Sequence, residues 1–384
     1  MTPKTSIRVA ACHAAPVFLS ARKTTDKVIA FIQQAASNKA DLVVFPETFI
    51  PAFPVWSAIR APTDNHDFFK RMALESVYAD GAEITRIRHE AARLGVMVSV
   101  GFSEKVRTSA ATLYNSNMII NEDGQVAVHH RKLMPTFFER LTWAAGDGYG
   151  LRVADTRFGK IGNLICGENT NPLARYTLMA QGEQLHISTW PAIWPTRATT
   201  PGHADSSVDT LGDVQQQSSV AKGANYDNVA ANRTRAAAHC FEAKCFGVLC
   251  TAKLGKDAVD AMSSGLCVSE ETVAALRATL EAAQQGATMF LDPAGTALQG
   301  FVMSDGVPKP TDFLQESEDI LYADLDLNDC IEGKQYHDVV GGYQRLDVFD
   351  LQVNRTRQHP VRFVENEAPV ESIVSRETHG LEGF

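Results

Sequence analysis

Two patterns alternate along this chain. Short apolar runs rich in β-branched residues (SIRVAAC, DLVVF, VMVSVGF, EQLHISTW, CFGVLCTA) are interleaved with stretches in which apolar residues recur at helical spacing (TTDKVIAFIQQAASNKA, ITRIRHEAARLG, PLARYTLMAQG, YDNVAANRTRAAAHCFEAK). The first pattern fits buried strands and the second fits amphipathic helices, so the alternation predicts an α/β layered fold. Two hairpins stand out, one in LYNSNMIINEDGQVAVHHRKLMPT around an Asp-Gly turn and one in TMFLDPAGTALQGF around Asp-Pro-Ala-Gly. Their likeness predicts two stacked, similarly built halves within one domain.

Two segments interrupt this rhythm. The stretch from about residue 197 to 225 is polar and rich in Ser, Gly and Gln, as expected of an exposed excursion, and Ser269 is placed to cap a helix that follows it. After about residue 353 the chain becomes charged and irregular, which predicts a segment lying on a surface or on a partner.

Composition narrows the function classes. The 384 residues are 45% hydrophobic and 21% charged, with a net charge of −9 and no basic cluster, so a nucleic-acid partner is not expected. No run approaches the roughly 20 apolar residues of a membrane span and the N-terminus lacks a signal-peptide pattern, so the expected location is cytoplasmic. Seven cysteines without a secretory signal argue against a disulfide framework, and the Asn232 and Asn354 glycosylation triplets are expected to be idle.

Three residues close or follow apolar strands: Glu47 in DLVVFPETF, Lys132 in VAVHHRKLMPT and Cys166 in GNLICGEN. Ligand sites of α/β sheets gather at the carboxyl ends of strands, and an acid, an amine and a thiol there form a set for covalent catalysis. A carboxylate whose pKa is raised by burial can take the thiol proton, and a fixed ammonium can stabilise charge developing on the atom attached to the attacked carbon. A buried lysine needs a partner, and Glu139, seven residues on, is the candidate. Glu168 is placed to hold the turn after Cys166. Each residue alone has an ordinary structural reading; the combination favours the catalytic one.

Other motifs carry less. Cys240, Cys245 and Cys250 recur every five residues, which is not a zinc spacing, so no metal is expected. Of His129 and His130 at most one can face the site, because neighbouring strand residues point to opposite faces. No phosphate loop appears, and no cofactor is implied.

In this order Glu47, Lys132 and Cys166 resemble the triad of the nitrilase superfamily of carbon-nitrogen hydrolases, whose motifs look like FPETF, HRKLMPT and CGEN. ERLTWAAGDG, NPLARYTLMAQGEQLHIS and DVVGGYQRLDVFDLQVN resemble further segments of its nitrilase branch. The resemblance covers residues 6–355 as one domain and leaves 356–384 as a C-terminal tail. It implies a four-layer αββα sandwich whose chains pair through their helix faces, with dimers extending into spirals or filaments in which the tail could take part. It also implies roles: Glu47 as general base, Lys132 as stabiliser of the tetrahedral species, Cys166 as nucleophile and Glu139 as an additional carboxylate. The implied reaction converts an organic nitrile and water to the acid and ammonia, with some amide as by-product.

The chain departs from the pattern at several positions. Gly167 stands where many nitrilases carry Trp, an expectation of an enlarged or reshaped pocket. GHY reads GGY at Gly342, RPD reads RLD at Leu346, and Phe137 and Phe138 stand where a His is common. Trp190, Trp143 and Phe53 are candidate pocket walls, each with a packing alternative. An apolar lining favours a neutral arylaliphatic or aliphatic nitrile. Two rival readings are an amidase using the same triad and a catalytically silent protein that only builds filaments.

Overall fold

The computed structural model describes residues 6–194, 227–264 and 269–361. The polar stretch expected at 197–225 and the end of the tail lie outside the described residues. Fifteen strands are present among those described: β1 Ser6–His13, β2 Leu42–Val44, β3 Met97–Val106, β4 Ser109–Ile120, β5 Val126–Arg131, β6 Ala154–Asp155, β7 Lys160–Ile165, β8 Leu185–Trp190, β9 Phe246–Thr251, β10 Thr288–Leu291, β11 Ala297–Leu298, β12 Gly300–Ser304, β13 Val307–Thr311, β14 Phe313–Leu314 and β15 Asp319–Asp326. They form two sheets, ordered β13-β12-β15-β1-β2-β3-β4-β5 and β11-β10-β9-β8-β7-β6, with β14 added beside β10.

Alternation along the strands explains the stacking. In β1, Ile7, Val9 and Ala11 point into a core shared with Ile187 of β8 and Val248 of β9, while Ala10 and Cys12 point to the helices outside. That outer face is covered by the helices Ala21–Ser37, through Val28, Ile32 and Ala35, and Ala82–Leu94, through Ile84, Ile87 and Ala91. Their inward residues recur every three or four positions, as an amphipathic helix on a sheet requires. The helix Asn228–Ala243 covers the second sheet through Ala236, Cys240 and Ala243. The layers run helix, sheet, sheet, helix, which is the αββα sandwich.

The helix after Ser269 spans Glu270–Ala282, and the Ser269 hydroxyl accepts the Thr272 N–H. The first hairpin is the β4–β5 pair and the second joins β10 to β11. The two sheets do not correspond to two halves of the chain, however. β12, β13 and β15 return from the C-terminal half to the first sheet, where β15 pairs antiparallel with β1 over all eight residues of that strand. Local periodicity cannot show which sheet a returning strand joins. Among the described residues no helix is long and apolar enough to cross a membrane.

Candidate active site

β1, β2 and β3 run parallel, β3 and β4 antiparallel, and β4 and β5 antiparallel, so β2 and β5 end at the same edge of the first sheet. Glu47 follows β2 there and Lys132 follows β5. Cys166 follows β7 of the facing sheet and opens the 3₁₀ turn Cys166–Thr170. Three residues in these loops hold a left-handed backbone without being glycine: Thr48 (φ 44°), Phe137 (φ 47°) and Cys166 (φ 52°). Such conformations persist only where the surroundings enforce them, and here each lies on or beside a candidate catalytic residue.

The four residues meet. The Lys132 ammonium donates to Glu47 Oε1 at 2.9 Å and to Glu139 Oε2 at 2.6 Å, and all three side chains are fully buried. One oxygen each of Glu47 and Glu139 and the Cys166 Sγ lie within 4.8 Å of one another. Lys132 supplies the positive charge that two such close carboxylates require, so the arrangement is held by an ammonium. Glu139 Oε2 also accepts the Thr136 N–H at 3.0 Å. Glu47 Oε2 and Glu139 Oε1 have no partner among the described residues, which leaves each with lone pairs available to a reactant.

Burial sets the proton affinities. It pushes the Glu47 carboxyl up to about 7; Lys132 opposes this and Glu139 adds to it. Burial also pushes the Cys166 thiol well above its ordinary value, with the Glu47 charge adding to the shift, while Lys132 and the Gly167 N–H favour the thiolate. For Lys132 burial works against the ammonium, but Cys166, Glu139 and Glu47 around it outweigh that and raise it well above its ordinary value. The resting site therefore holds a protonated thiol, a fixed ammonium and a carboxyl balanced near neutrality.

Glu168 holds the turn, as expected, and it also joins the two sheets' loops. Its carboxylate accepts the Ile165 N–H at 2.9 Å, the Leu133 N–H and a contact from His130 Nε2 at 2.9 Å. His130 is the histidine on the site's side of β5, whereas His129 bonds Glu104. Sequence reasoning missed Asn115, whose amide donates to Glu47 Oε1 at 2.7 Å and whose oxygen accepts from Thr48. The available signal was a pair of asparagines in the apolar run of β4. It also missed Asn169, which donates to the Cys166 carbonyl at 2.9 Å.

The pocket candidates divide. Trp190, at the end of β8, shares a core cluster with Cys166, while its indole N–H reaches Ser188 Oγ. Phe53 and Trp143 pack edge to face at 5.6 Å in a second cluster, which Phe138 joins, and the Trp143 indole donates to Ser103. A cavity of about 30 Å³ beside Glu47 is lined in part by Phe49, Ala52, Phe53, Val55 and Ala192. At Gly167 a Cβ would lie 2.7 Å from Thr136 Oγ1, so the threonine hydroxyl already occupies the space beside the glycine.

Residues 8–335 match the carbon-nitrogen hydrolase family. A nitrilase of Penicillium rubens is 33% identical over 361 residues, covering 94% of this chain and 96% of its own length. An aliphatic nitrilase of Rhodococcus rhodochrous is 31% identical, covering 93% of this chain and 82% of its own. Among solved structures, Nit3 of Saccharomyces cerevisiae superposes with a TM-score of 0.59 at 17% identity, covering 91% of this chain and 99% of its own. An amidase of Nesterenkonia sp. AN1 reaches 0.55 at 14% identity, covering 86% and 95%; these two likenesses concern the fold. With the family matched over most of its length, the chain belongs to the carbon-nitrogen hydrolases and is an enzyme acting on carbon–nitrogen bonds.

Proposed function

We propose that this chain is a nitrilase that converts an organic nitrile and two waters to the carboxylic acid and ammonia through covalent intermediates on Cys166. The observation that carries this reading is the buried Lys132 ammonium clamped between Glu47 and Glu139, two carboxylates that each have an oxygen within 4.8 Å of the Cys166 sulfur.

The Cys166 sulfur attacks the nitrile carbon and its proton passes to Glu47. Charge leaves the triple bond for nitrogen, where the Lys132 ammonium stabilises it, and Glu47 passes the proton it has taken to that nitrogen, which gives a thioimidate and frees the carboxylate again. A water adds to the same carbon as Glu47 removes its proton. The tetrahedral species then expels ammonia, once its nitrogen is protonated, and leaves a thioester. A second water, activated in the same way, releases the acid and restores the thiol. Expulsion of the thiol from the tetrahedral species gives the amide instead. The apolar lining beside Glu47, from Phe49, Ala52, Phe53, Val55 and Ala192, supports a neutral arylaliphatic or aliphatic nitrile.

The domain spans residues 6–355, with 356–384 as a tail. The working particle is a homo-oligomer, which the exposed apolar side chains of Tyr343, Leu346 and Phe349 support.

The test is ammonia release from aliphatic, arylacetic and aromatic nitriles by the wild type and by Cys166→Ala. The wild type should turn over at least one nitrile and Cys166→Ala none. Silence on every nitrile with turnover of the matching amides would replace this reading with the amidase; silence on both would leave the filament protein.

A further inference from the structure

Behind the Cys166 turn, on the helix side of the second sheet, lies a buried chain of polar side chains that the reaction does not use. Asn169 Nδ2 donates to two main-chain oxygens that flank the nucleophile, Cys166 at 2.9 Å and Leu164 at 3.3 Å. Its Oδ1 meets His186 Nε2 at 2.8 Å. His186 Nδ1 meets Glu183 Oε1 at 2.8 Å, and Glu183 Oε2 meets His239 Nε2 at 2.6 Å. The two imidazoles stack with ring centres 3.6 Å apart, and all four residues are buried.

The hydrogens of this chain can be assigned from its ends. The two carbonyls fix Asn169 with its NH₂ toward the nucleophile's turn, because the reverse orientation would set three acceptor oxygens against one another. Asn169 Oδ1 must then accept, so His186 Nε2 donates. Glu183 is an acceptor on both oxygens, so His186 Nδ1 and His239 Nε2 donate as well. One carboxylate thus faces one ring that donates from both nitrogens and a second ring that donates from one. His239 Nδ1 has no partner among the described residues, in keeping with a ring that stays neutral. Burial, together with the charge on His186, lowers His239 to about 4. Burial opposes the Glu183 charge, but the two histidines outweigh it and hold the carboxyl down at about 2.

The fold makes room for this arrangement. Gly162 of β7 pairs with His186 of β8, and a Cβ at Gly162 would lie 2.1 Å from Glu183 Oε1. Any side chain there would expel the carboxylate. Four residues further along the same strand the chain reaches Cys166 and its left-handed turn.

We propose that His186 is a positioning residue for the nucleophile: its Nε2 locks the Asn169 amide, which holds the carbonyls on both sides of the Cys166 turn and so fixes where the sulfur points, while Glu183 and His239 serve only to hold the imidazole in place. The inference rests on Cys166 being the nucleophile.

Two substitutions at one position separate this role from simple packing. In His186→Gln the new amide nitrogen reaches roughly where Nε2 was and still bonds Asn169, while the Glu183 bond is lost. In His186→Asn the nitrogen reaches roughly where Nδ1 was and still bonds Glu183, while the Asn169 bond is lost. The proposal expects His186→Gln to keep at least about half of the wild-type kcat and His186→Asn to lose at least about tenfold, with KM within about twofold in both. The reverse order, or equal losses, would overturn it.

If both variants fail to fold, Asn169→Ala decides. It leaves the Glu183 ion pair intact and should show the same tenfold loss at unchanged KM; full kcat in a folded Asn169→Ala protein would end the proposal. Iodoacetamide labelling of Cys166, followed by mass spectrometry, is read in parallel and needs no knowledge of the substrate. Slower Cys166 labelling in His186→Asn than in His186→Gln supports the positioning role even if every nitrile proves inert, and equal labelling counts against it. Failure of the nitrile reading is thereby told apart from failure of this one.

Discussion

At the scale of single residues, Glu47 links stability to activity. Its carboxyl is pushed up to about 7 by burial, so at neutral pH it is divided between its ionised form, which is the base of the proposed reaction, and its protonated form. Activity as kcat/KM should fall about tenfold per pH unit below about 7. Glu47→Gln should lose about 10²- to 10⁴-fold, the typical contribution of a positioned base. Stability has the opposite sign. Because the folded value lies above the ordinary 4.5, this carboxyl's contribution to stability is complete below about 4.5 and is lost as pH rises through about 7. Melting wild type and Glu47→Gln side by side from pH 5 to 8 should therefore show the variant gaining relative to the wild type as pH rises. A gap independent of pH would mean that Glu47 is not the group titrating near neutrality.

At the scale of elements, the site depends on a clasp between two loops. Glu168 lies just beyond β7, yet its carboxylate accepts the N–H of Leu133 in the loop after β5 as well as that of Ile165 at the end of β7. It thereby sets the distance between the Lys132 loop and the Cys166 turn. Burial disfavours its charge, but His130 and the two N–H groups outweigh this and hold the carboxyl below its ordinary value. Its stabilising contribution is present above about 4.5 and is lost as pH falls further. Glu168→Gln should cost about 3 kcal/mol in urea unfolding near neutral pH, the scale for losing hydrogen bonds to a buried charge. That difference should shrink as the solution is acidified below pH 4.5; a variant as stable as the wild type at pH 7 would show that the clasp bears no load.

Much of this scale was legible in the sequence. The helices Ala21–Ser37, Ala82–Leu94, Pro172–Met179 and Asn228–Ala243 were marked by their apolar repeats, whereas His66–Glu75 was not, and Glu47, Lys132 and Cys166 were marked by their place after apolar runs. Asn115 and Asn169 were not, because a buried asparagine reads as a loop residue until the atoms it bonds are known. Likewise His186 and His239 stand 53 positions apart in sequence, yet they stack. No local period reveals a contact made by a strand and a helix that meet only in the folded sheet.

At the scale of the whole molecule, the return of β15 to pair with β1 brings the C-terminal half back across the first sheet, and the chain then crosses to the second. Residues 335–361 continue as an arm tacked down at intervals. Val339 and Val340 pack on the cluster containing Cys166, Val353 packs beside Leu164, and Arg357 donates to Asp147 and to the His129 carbonyl. Between these anchors the arm exposes Tyr343, Leu346, Val348 and Phe349, each with more than half of its surface open, although large apolar side chains exposed together usually mark a binding surface. Burying a Leu or Phe contributes about 1.5–3 kcal/mol, so two of them on each side of a symmetric contact are enough to decide assembly. We therefore expect the wild type to scatter light as a particle heavier than one 41.8 kDa chain, and the double variant Leu346→Glu, Phe349→Glu to shift toward that single-chain mass, since both carboxylates would have to be desolvated in the contact. The anchors lie elsewhere, so the arm should stay docked and the urea midpoint of the variant should hardly move. A wild type that already runs as a single chain, or a variant that keeps the wild-type mass, would mean that these side chains do not hold copies of the chain together.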